Sequence, residues 1–397
     1  MGRGDHVRFW HLTFQEFLAA RALAARSEQF QSEALFRQPK LFKAEWRETV
    51  LLLAGVLYHN GIQQVDRMMS EIIDQYDSGS FTKLFGWLRG KGSKLNASAQ
   101  YAGLLGAIVQ DLSPVGFKPR DPRYQKLFEE IMGIFEPEQS RSIPIKIRIA
   151  AADALGSAGD PRFLPGVRQK NWITIPASSF LMKSTGNQVE LDEFRIAAYP
   201  VTVGEFEDFV EEGGYQDERW WSDGGFGEFT EPDNWDDQQQ TPTRPVTNVS
   251  WFEAAAYAAW FSSHLPPRIK CRLLTEAEWE RAAGGTEGRE FPWGNDQADE
   301  IRSNFGFKFD HVTPVGLYPR GMTPDGIQEM AGSVWEWTAS EVAGGRVTRG
   351  GSWSIPEEPC RVADRSSNDP EDRSNVLGFR LALVRLTSSE QVAEPGA

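Results

Sequence analysis

The sequence is poor in the side chains that build disulfides and metal centres. It contains 2 cysteines and 5 histidines among 397 residues. Two cysteines give neither a disulfide framework nor the ligand set of a structural zinc site. Basic side chains are also in deficit, because 42 Lys+Arg against 56 Asp+Glu leave a formal net charge of −14. We therefore do not expect nonspecific binding to nucleic acid or to an anionic membrane.

Long apolar runs are missing as well. The longest, residues 50–58, falls far short of the roughly 20 residues that a membrane-spanning helix needs. The opening residues, MGRGDHVRFWHL, lack the apolar core of a secretion signal. These absences predict a soluble, cytoplasmic protein.

The residue pattern changes near position 170. Before it, apolar residues recur at helical spacing, as in Phe14, Phe17 and Leu18. After it come short strand patterns, many of the 14 tryptophans, glycines and Pro-bearing turns. The sequence thus predicts an all-α helical domain over 1–170, an α+β domain over 171–386 and a disordered tail over 387–397.

Two helices are expected inside the α+β domain. Residues 251–261 and 276–283 have helical patterns, and Ser250 and Thr275 stand directly before them. Serine and threonine are favoured N-cap residues, since the hydroxyl accepts a hydrogen bond from a free amide of the first turn.

Eight sequence pieces in the second half resemble, in order, the formylglycine-generating enzyme (sulfatase-modifying factor) family. They include residues 199–206, 245–251, 272–280, 330–337 and 349–353. The resemblance covers residues 172–386 and implies a C-type-lectin-like fold. Within it we expect the tryptophans to fill the core. Three arginines are expected to pair with glutamates and tie down loops: Arg349, Arg365 and Arg380 with Glu276, Glu278 or Glu336.

The enzymes of this family use a pair of reactive cysteines that bind copper. Here Ser354 and Ile355 follow the Arg-Gly-Gly-Ser-Trp motif, and Cys360 has no second cysteine near it in sequence. Cys271 belongs to a distant predicted strand. We therefore expect no such oxidase activity and interpret Cys360 as a small buried apolar residue.

The resemblance includes a second enzymatic branch, the sulfoxide synthases of ergothioneine synthesis. These enzymes use three iron-binding histidines on a separate helical domain. The histidines here are His6, His11, His59, His264 and His311. None lies two to four residues from another, so no helix would present two of them to one metal. The resulting expectation is a chain that is not an enzyme and has no catalytic residues.

The family also implies a calcium site around residues 329–336. Carboxylates of Glu329 and Glu336, with carbonyls of Gly332 and Val334, would supply hard oxygen ligands suited to Ca²⁺. The alternative is that Glu336 hydrogen-bonds backbone or pairs with an arginine.

We define the C-terminal segment as Arg349 to Leu383. It also resembles the variable proteins of diversity-generating retroelements, which display a binding surface on a lectin-like fold. The resemblance places a ligand-binding surface on its small, polar and acidic interior. The candidate residues are Ser354, Ile355, Pro356, Glu357, Glu358, Ser366, Ser367, Asn368, Asp369, Glu371, Asp372, Ser374, Asn375 and Val376. A plain turn-rich loop would have a similar composition.

Two short stretches of the N-terminal part resemble motifs of other helical proteins. Residues 9–20 resemble a motif in the helical region of NACHT-type (STAND) NTPases, and residues 143–159 resemble one HEAT-type repeat. The glycines and lysine of residues 86–93 do not have phosphate-loop spacing, so no nucleotide-binding core is expected.

Together these features predict a non-enzymatic ligand-binding protein that displays a hypervariable C-terminal surface to a protein or other macromolecule. A formylglycine-generating-type oxidoreductase and a sensor module acting with a STAND NTPase partner are the alternatives. Neither nucleic acid nor membrane is an expected partner, and Ca²⁺ is the candidate cofactor.

Overall fold

The computed structural model describes residues 12–36, 41, 44–77, 91–163, 171–355 and 360–386. The chain divides into two compact units. One unit is Met1–Ile134 with Lys146–Leu164, and the other is Phe135–Ile145 with Pro165–Ala397. The predicted boundary at residue 170 and the predicted tail both fall outside the described residues.

The first unit is helical in its described part, as its apolar spacing predicts. Its helices are α1 (Leu12–Ala24), α2 (Glu28–Gln31), α3 (Ala44–Asn60), α4 (Ile62–Asp77), α5 (Lys91–Asp111), α6 (Pro122–Met132) and α8 (Ile145–Gly159), and a π-helical turn covers Ser32–Phe36. Helix α4 buries Val65, Met68, Met69, Ile72 and Ile73, one face at helical spacing. A short α7 (Pro137–Ser140) belongs to the second unit.

Three sheets form the β part of the second unit as far as its residues are described. Their strands are β1 (Trp172–Ile175), β2 (Ser178–Met182), β3 (Asn187–Leu191), β4 (Phe194–Ala197), β5 (Ile269–Leu273), β6 (Trp335–Val342), β7 (Gly345–Arg349), β8 (Arg365–Asn368), β9 (Leu377–Phe379) and β10 (Leu381–Arg385). The strand orders are β1-β4-β10-β5, β2-β3 and β8-β7-β6-β9. All neighbours are antiparallel except β6 and β9, and β8 lies at a sheet edge.

The described helices of this unit after α7 are α9 (Val203–Glu211), α10 (Trp235–Gln238), α11 (Trp251–Ser263) and α12 (Glu276–Gly284). Ser250 and Thr275 cap α11 and α12 as predicted, each in a capping box with the glutamate three residues later. Helix α9 begins with the same device, formed by Thr202 and Glu205. These boxes fix where the helices begin.

Aromatic side chains fill the core of this unit. The Phe206 ring stacks on Tyr257 with centroids 5.2 Å apart, and Phe379 meets Tyr257 edge-on at 5.5 Å. Of the tryptophans expected in the core, Trp279 and Trp337 are fully buried. Trp335 and Trp293 are only partly buried, so the prediction holds for some indoles and not for others.

Among the described residues, no helix has the length and apolar content needed to cross a membrane.

Candidate functional site

Buried ion pairs anchor both ends of the C-terminal segment. Near its end, Arg380 donates to the Glu336 carboxylate from Nε at 3.1 Å and from Nη2 at 2.8 Å. The Trp279 indole donates to the same carboxylate at 2.8 Å. Arg380 also donates to the carbonyls of Ala197 and Gln328. The guanidinium is therefore fully paired inside the core, which is what makes a buried charge tolerable.

Arg349 anchors the beginning of the segment in a similar way. Its side chain is fully buried, and it donates to the Glu280 carboxylate and to the Asp364 carbonyl, the latter at 2.7 Å. Arg365 pairs with Glu276 at 2.8 Å. Burial lowers the pKa of Arg349 and raises that of Glu276, since a low dielectric disfavours both charged forms.

The predicted arginine–glutamate pairing is thus confirmed for Arg365 and Arg380, and for Arg349 through Glu276 at 3.7 Å. Glu280, the main partner of Arg349, was not among the glutamates expected, and Glu278 pairs with Arg272 at 2.6 Å instead. All three glutamates are buried, and a helix position alone does not show which of them faces a given arginine.

A third buried pair holds the middle of the segment. Arg373 donates to Glu253 through Nε at 2.8 Å and through Nη2 at 2.5 Å. The Tyr215 hydroxyl donates to the same carboxylate, which also accepts the Ser250 amide of the α11 capping box. Burial raises the pKa of both Glu253 and Tyr215. This contact ties the segment to the start of α11.

Backbone hydrogen bonds and close packing fix the residues of the C-terminal segment between Arg373 and Arg380. The Asn248 amide donates to the Ser374 carbonyl at 2.9 Å, and the Trp335 amide donates to the Val376 carbonyl at 2.8 Å. A Cβ at Gly378 would lie 2.8 Å from the Val246 carbonyl oxygen, so only glycine fits there. The described part of the segment is therefore held at its beginning, middle and end.

We define the displayed surface as those predicted ligand-binding residues of this segment that are exposed. They are Ser366, Ser367, Asp369, Glu371, Asp372 and Asn375. The other predicted ligand-binding residues are less open: Ser354, Ile355, Asn368, Ser374 and Val376 are partly buried. Asn368 accepts a hydrogen bond from Thr348. Pro356, Glu357 and Glu358 lie outside the described residues.

An exposed aromatic residue beside this segment was not foreseen from the sequence. The Phe307 side chain is 64% exposed, and its ring meets Trp353 edge-on with centroids 6.1 Å apart. The preceding Gly306 was a sign of a turn. No pattern in the sequence, however, indicated that the aromatic residue would point outward.

Both cysteines are buried. Burial raises the pKa of Cys271, which keeps that thiol protonated and unreactive. Cys360 is 1% exposed, which confirms its interpretation as a small buried residue. The two do not form a disulfide.

In this arrangement Glu336, one of the predicted calcium ligands, is held by other side chains. Glu336 is satisfied by Arg380 and Trp279, and Glu329 accepts the Gly316 amide at 2.9 Å. A divalent ion at Glu336 would lie against the Arg380 guanidinium, which repels it. The alternative, an arginine partner for Glu336, is the one observed. Over the described part of the chain, no three His, Cys, Asp or Glu side chains group as metal ligands would.

Comparisons with known proteins place this unit in a family. The model of the sulfatase-modifying factor enzyme 1-like domain matches residues 161–385. The hercynine oxygenase of Mycobacterium tuberculosis is 36% identical over 235 residues, which cover 49% of this chain and 53% of that protein. The chain thus spans about half the length of the oxygenases that it resembles.

Two other proteins are similar to parts of this chain. The inactive C-alpha-formylglycine-generating enzyme 2 of Mus musculus is 31% identical over 289 residues, covering 57% of this chain and 87% of that protein. A solved structure, Treponema denticola variable protein 1, has a TM-score of 0.41 and 23% identity, covering 53% of this chain and 94% of that one.

The expectation that the chain is not an enzyme is wrong in view of these relatives, because proteins at 34–36% identity are named as oxygenases. The missing cysteine pair bears only on oxidation by copper-bound cysteines. The histidine spacing bears only on a metal held by two histidines of the same helix. Neither observation excludes catalysis by other side chains. The family match covers more than half of the chain. The chain belongs to the sulfatase-modifying factor enzyme 1-like domain family.

Proposed function

We propose that the C-terminal domain is a recognition domain with a C-type-lectin-like fold, and that its displayed surface binds a peptide or protein ligand. The observation that carries the proposal is the contrast within the C-terminal segment. Arg349, Arg373 and Arg380 fix its backbone through largely buried ion pairs, while the side chains of the displayed surface remain exposed. A rigid backbone lowers the entropy cost of binding.

Small polar side chains on such a support suit adaptable recognition. Ser366 and Ser367 lie on the edge strand β8, and Asp369, Glu371 and Asp372 follow in a turn closed by the Asp372 amide and the Asp369 carbonyl. These residues present hydroxyl and carboxylate groups at fixed positions. The proposal concerns recognition and holds equally for a substrate and for a non-reacting partner.

Selection from a random peptide library against the full chain tests this proposal. Enriched peptides should lose binding to Ser367→Arg, because the long cation covers the displayed surface. The control is Ser222→Arg, the same replacement at an exposed serine in another loop. Failure to enrich any peptide, or peptides that bind Ser367→Arg as well as the original chain, would contradict the proposal.

A second candidate function is favoured by the 36% identity to hercynine oxygenase. In that case the domain would be the substrate-binding part of an oxidoreductase, and hercynine is the first substrate to test. Calorimetric titration of the full chain with hercynine should show saturable heat that Ser367→Arg abolishes. Absence of heat at millimolar hercynine would rule out this candidate.

We further propose that the displayed surface is diversified by a retroelement. This predicts a reverse transcriptase gene nearby and a near-copy of the region coding for the C-terminal segment that differs only at adenines. Sequencing of the surrounding DNA tests this proposal. A complete sequence of that DNA without such a copy would refute diversification by a retroelement.

The helical N-terminal part is proposed to couple the domain to a STAND NTPase. Its NACHT-like motif at 9–20 lies partly outside the described residues. Co-purification of an NTPase that depends on residues 1–110 would support this role, and retention of the NTPase after their deletion would contradict it.

A further inference from the structure

Phe307 combines an unfavourable backbone conformation with an exposed aromatic ring. Its φ is 54°, in the left-handed region that bulky L-residues rarely adopt. The side chain nevertheless stays 64% exposed. Asparagine or glycine would adopt this conformation at lower cost. Folding alone therefore gives little reason for phenylalanine at this position.

The turn that carries Phe307 is firmly attached to the C-terminal segment. The Gly306 amide donates to the Ile355 carbonyl at 2.7 Å, and the Phe307 amide donates to the Trp353 carbonyl at 2.9 Å. Two residues on, Phe309 is buried and anchors the other side of the turn. The exposed ring is thus held in place. Strain maintained by surrounding contacts is characteristic of functional positions.

The charges around the turn indicate what kind of partner fits. Residues 296–311 contain Asp296, Asp299, Glu300 and Asp310 against Arg302 and Lys308. Both cations are already paired with these acids, and Asp310 is fully exposed. The region therefore keeps an acidic excess around an apolar ring. A second copy of this chain would bring the same excess to the contact and be repelled.

We infer that Phe307 is the anchor of a contact for a basic peptide segment that carries an apolar side chain. The apolar group packs on the Phe307 ring, and its flanking cations face the surrounding carboxylates. Aromatic anchors in a polar rim are typical of binding hot spots. The inference rests on the proposed function in one respect, since the turn is fastened to the segment that bears the displayed surface.

Fluorescence anisotropy with defined peptides tests the inference on the full chain. The probe is a fluorescein-labelled peptide of sequence Gly-Lys-Lys-Leu-Lys-Lys-Gly, compared with versions that have Gly for Leu or Glu for Lys. The original peptide should bind most tightly. Phe307→Ala should weaken its binding by about 5- to 30-fold, as expected for losing most of a buried phenylalanine.

The matched control is Phe226→Ala, which removes a 40% exposed phenylalanine in another loop and should leave binding unchanged. Phe307→Asn separates binding from stability, because it should lose binding while the melting temperature stays equal or rises. Equal binding by Phe307→Ala, or equal binding of the Glu peptide, would overturn the inference. Loss with Phe307→Ala but not with Ser367→Arg would retain the anchor and refute the proposed role of the displayed surface.

Discussion

At the scale of single residues, the arginines of the C-terminal segment decide what the segment can do. Arg380 and Glu336 are each exposed by no more than 1%. A buried pair of this kind adds little net stability over an apolar replacement, but removal of one partner leaves an uncompensated charge. The main effect of the Arg380–Glu336 pair is therefore to fix the position of the segment.

We expect Arg380→Met to destabilise the domain by about 3 to 5 kcal/mol, because it leaves the Glu336 carboxylate buried without its cation. The double variant Arg380→Met with Glu336→Met should recover much of that loss. Urea unfolding measures both. An additive loss in the double variant would show that the two residues act independently.

A surface pair provides the contrast. Arg346 and Glu341 lie 2.9 Å apart, with Glu341 72% exposed. We expect Glu341→Gln to change the free energy of unfolding by less than about 1 kcal/mol. A larger loss of unfolding free energy in the same urea experiment would show that the exposure of an ion pair does not determine its contribution to stability.

The helical unit has a pH-dependent contact at Asp121. Hydrogen bonds from Arg123 lower the pKa of Asp121 to about 2. Since the folded value is depressed, the stabilisation is present above the ordinary carboxyl range and is lost as pH falls toward about 2. Asp121→Asn keeps an N-cap side chain but removes the charge. Its destabilisation should be clear at pH 7 and disappear near pH 2, measured by thermal unfolding at both values.

At the scale of elements, the N-caps of α11 and α12 are the features that the sequence predicts best. A hydroxyl residue three positions before a glutamate is a local arrangement, and Ser250 and Thr275 are found where they are expected. The Glu253 carboxylate does more, since it also binds Arg373 and Tyr215. Tyr215 lies 38 positions from Glu253 in the sequence, and Arg373 lies 120 positions from it. The spacing of neighbouring residues in the sequence does not reveal such distant contacts.

We expect Ser250→Ala and Thr275→Ala each to cost about 1 kcal/mol of stability through the lost cap. Ser250→Ala should also loosen the C-terminal segment, because Glu253 loses the geometry that holds Arg373. Hydrogen exchange at residues 366–376 should increase for Ser250→Ala and stay unchanged for Thr275→Ala. Equal exchange in the two variants would contradict this link.

At the scale of the whole molecule, the sequence indicates the helical and α+β parts but not the activity. The change of pattern near 170 predicts two kinds of architecture. The missing cysteines, by contrast, led to a wrong expectation about catalysis. The outward position of Phe307 depends on the backbone φ of one turn residue, which composition cannot show.

Because the chain divides into two compact units, we expect urea unfolding followed by circular dichroism and tryptophan fluorescence to show two transitions. Arg380→Met should shift the transition with the larger fluorescence change, since most tryptophans lie in the second unit. A single transition that shifts as a whole would mean that the units unfold together.

The position of β10 has a consequence for synthesis. This strand comes last among the described elements, yet it lies between β4 and β5 in the middle of its sheet. Neither neighbour can complete its pairing until Leu381–Arg385 has left the ribosome. Folding of the domain therefore has to wait for the synthesis of this strand, and a chain truncated before it leaves β4 and β5 without their shared neighbour, which quality-control proteases can recognise.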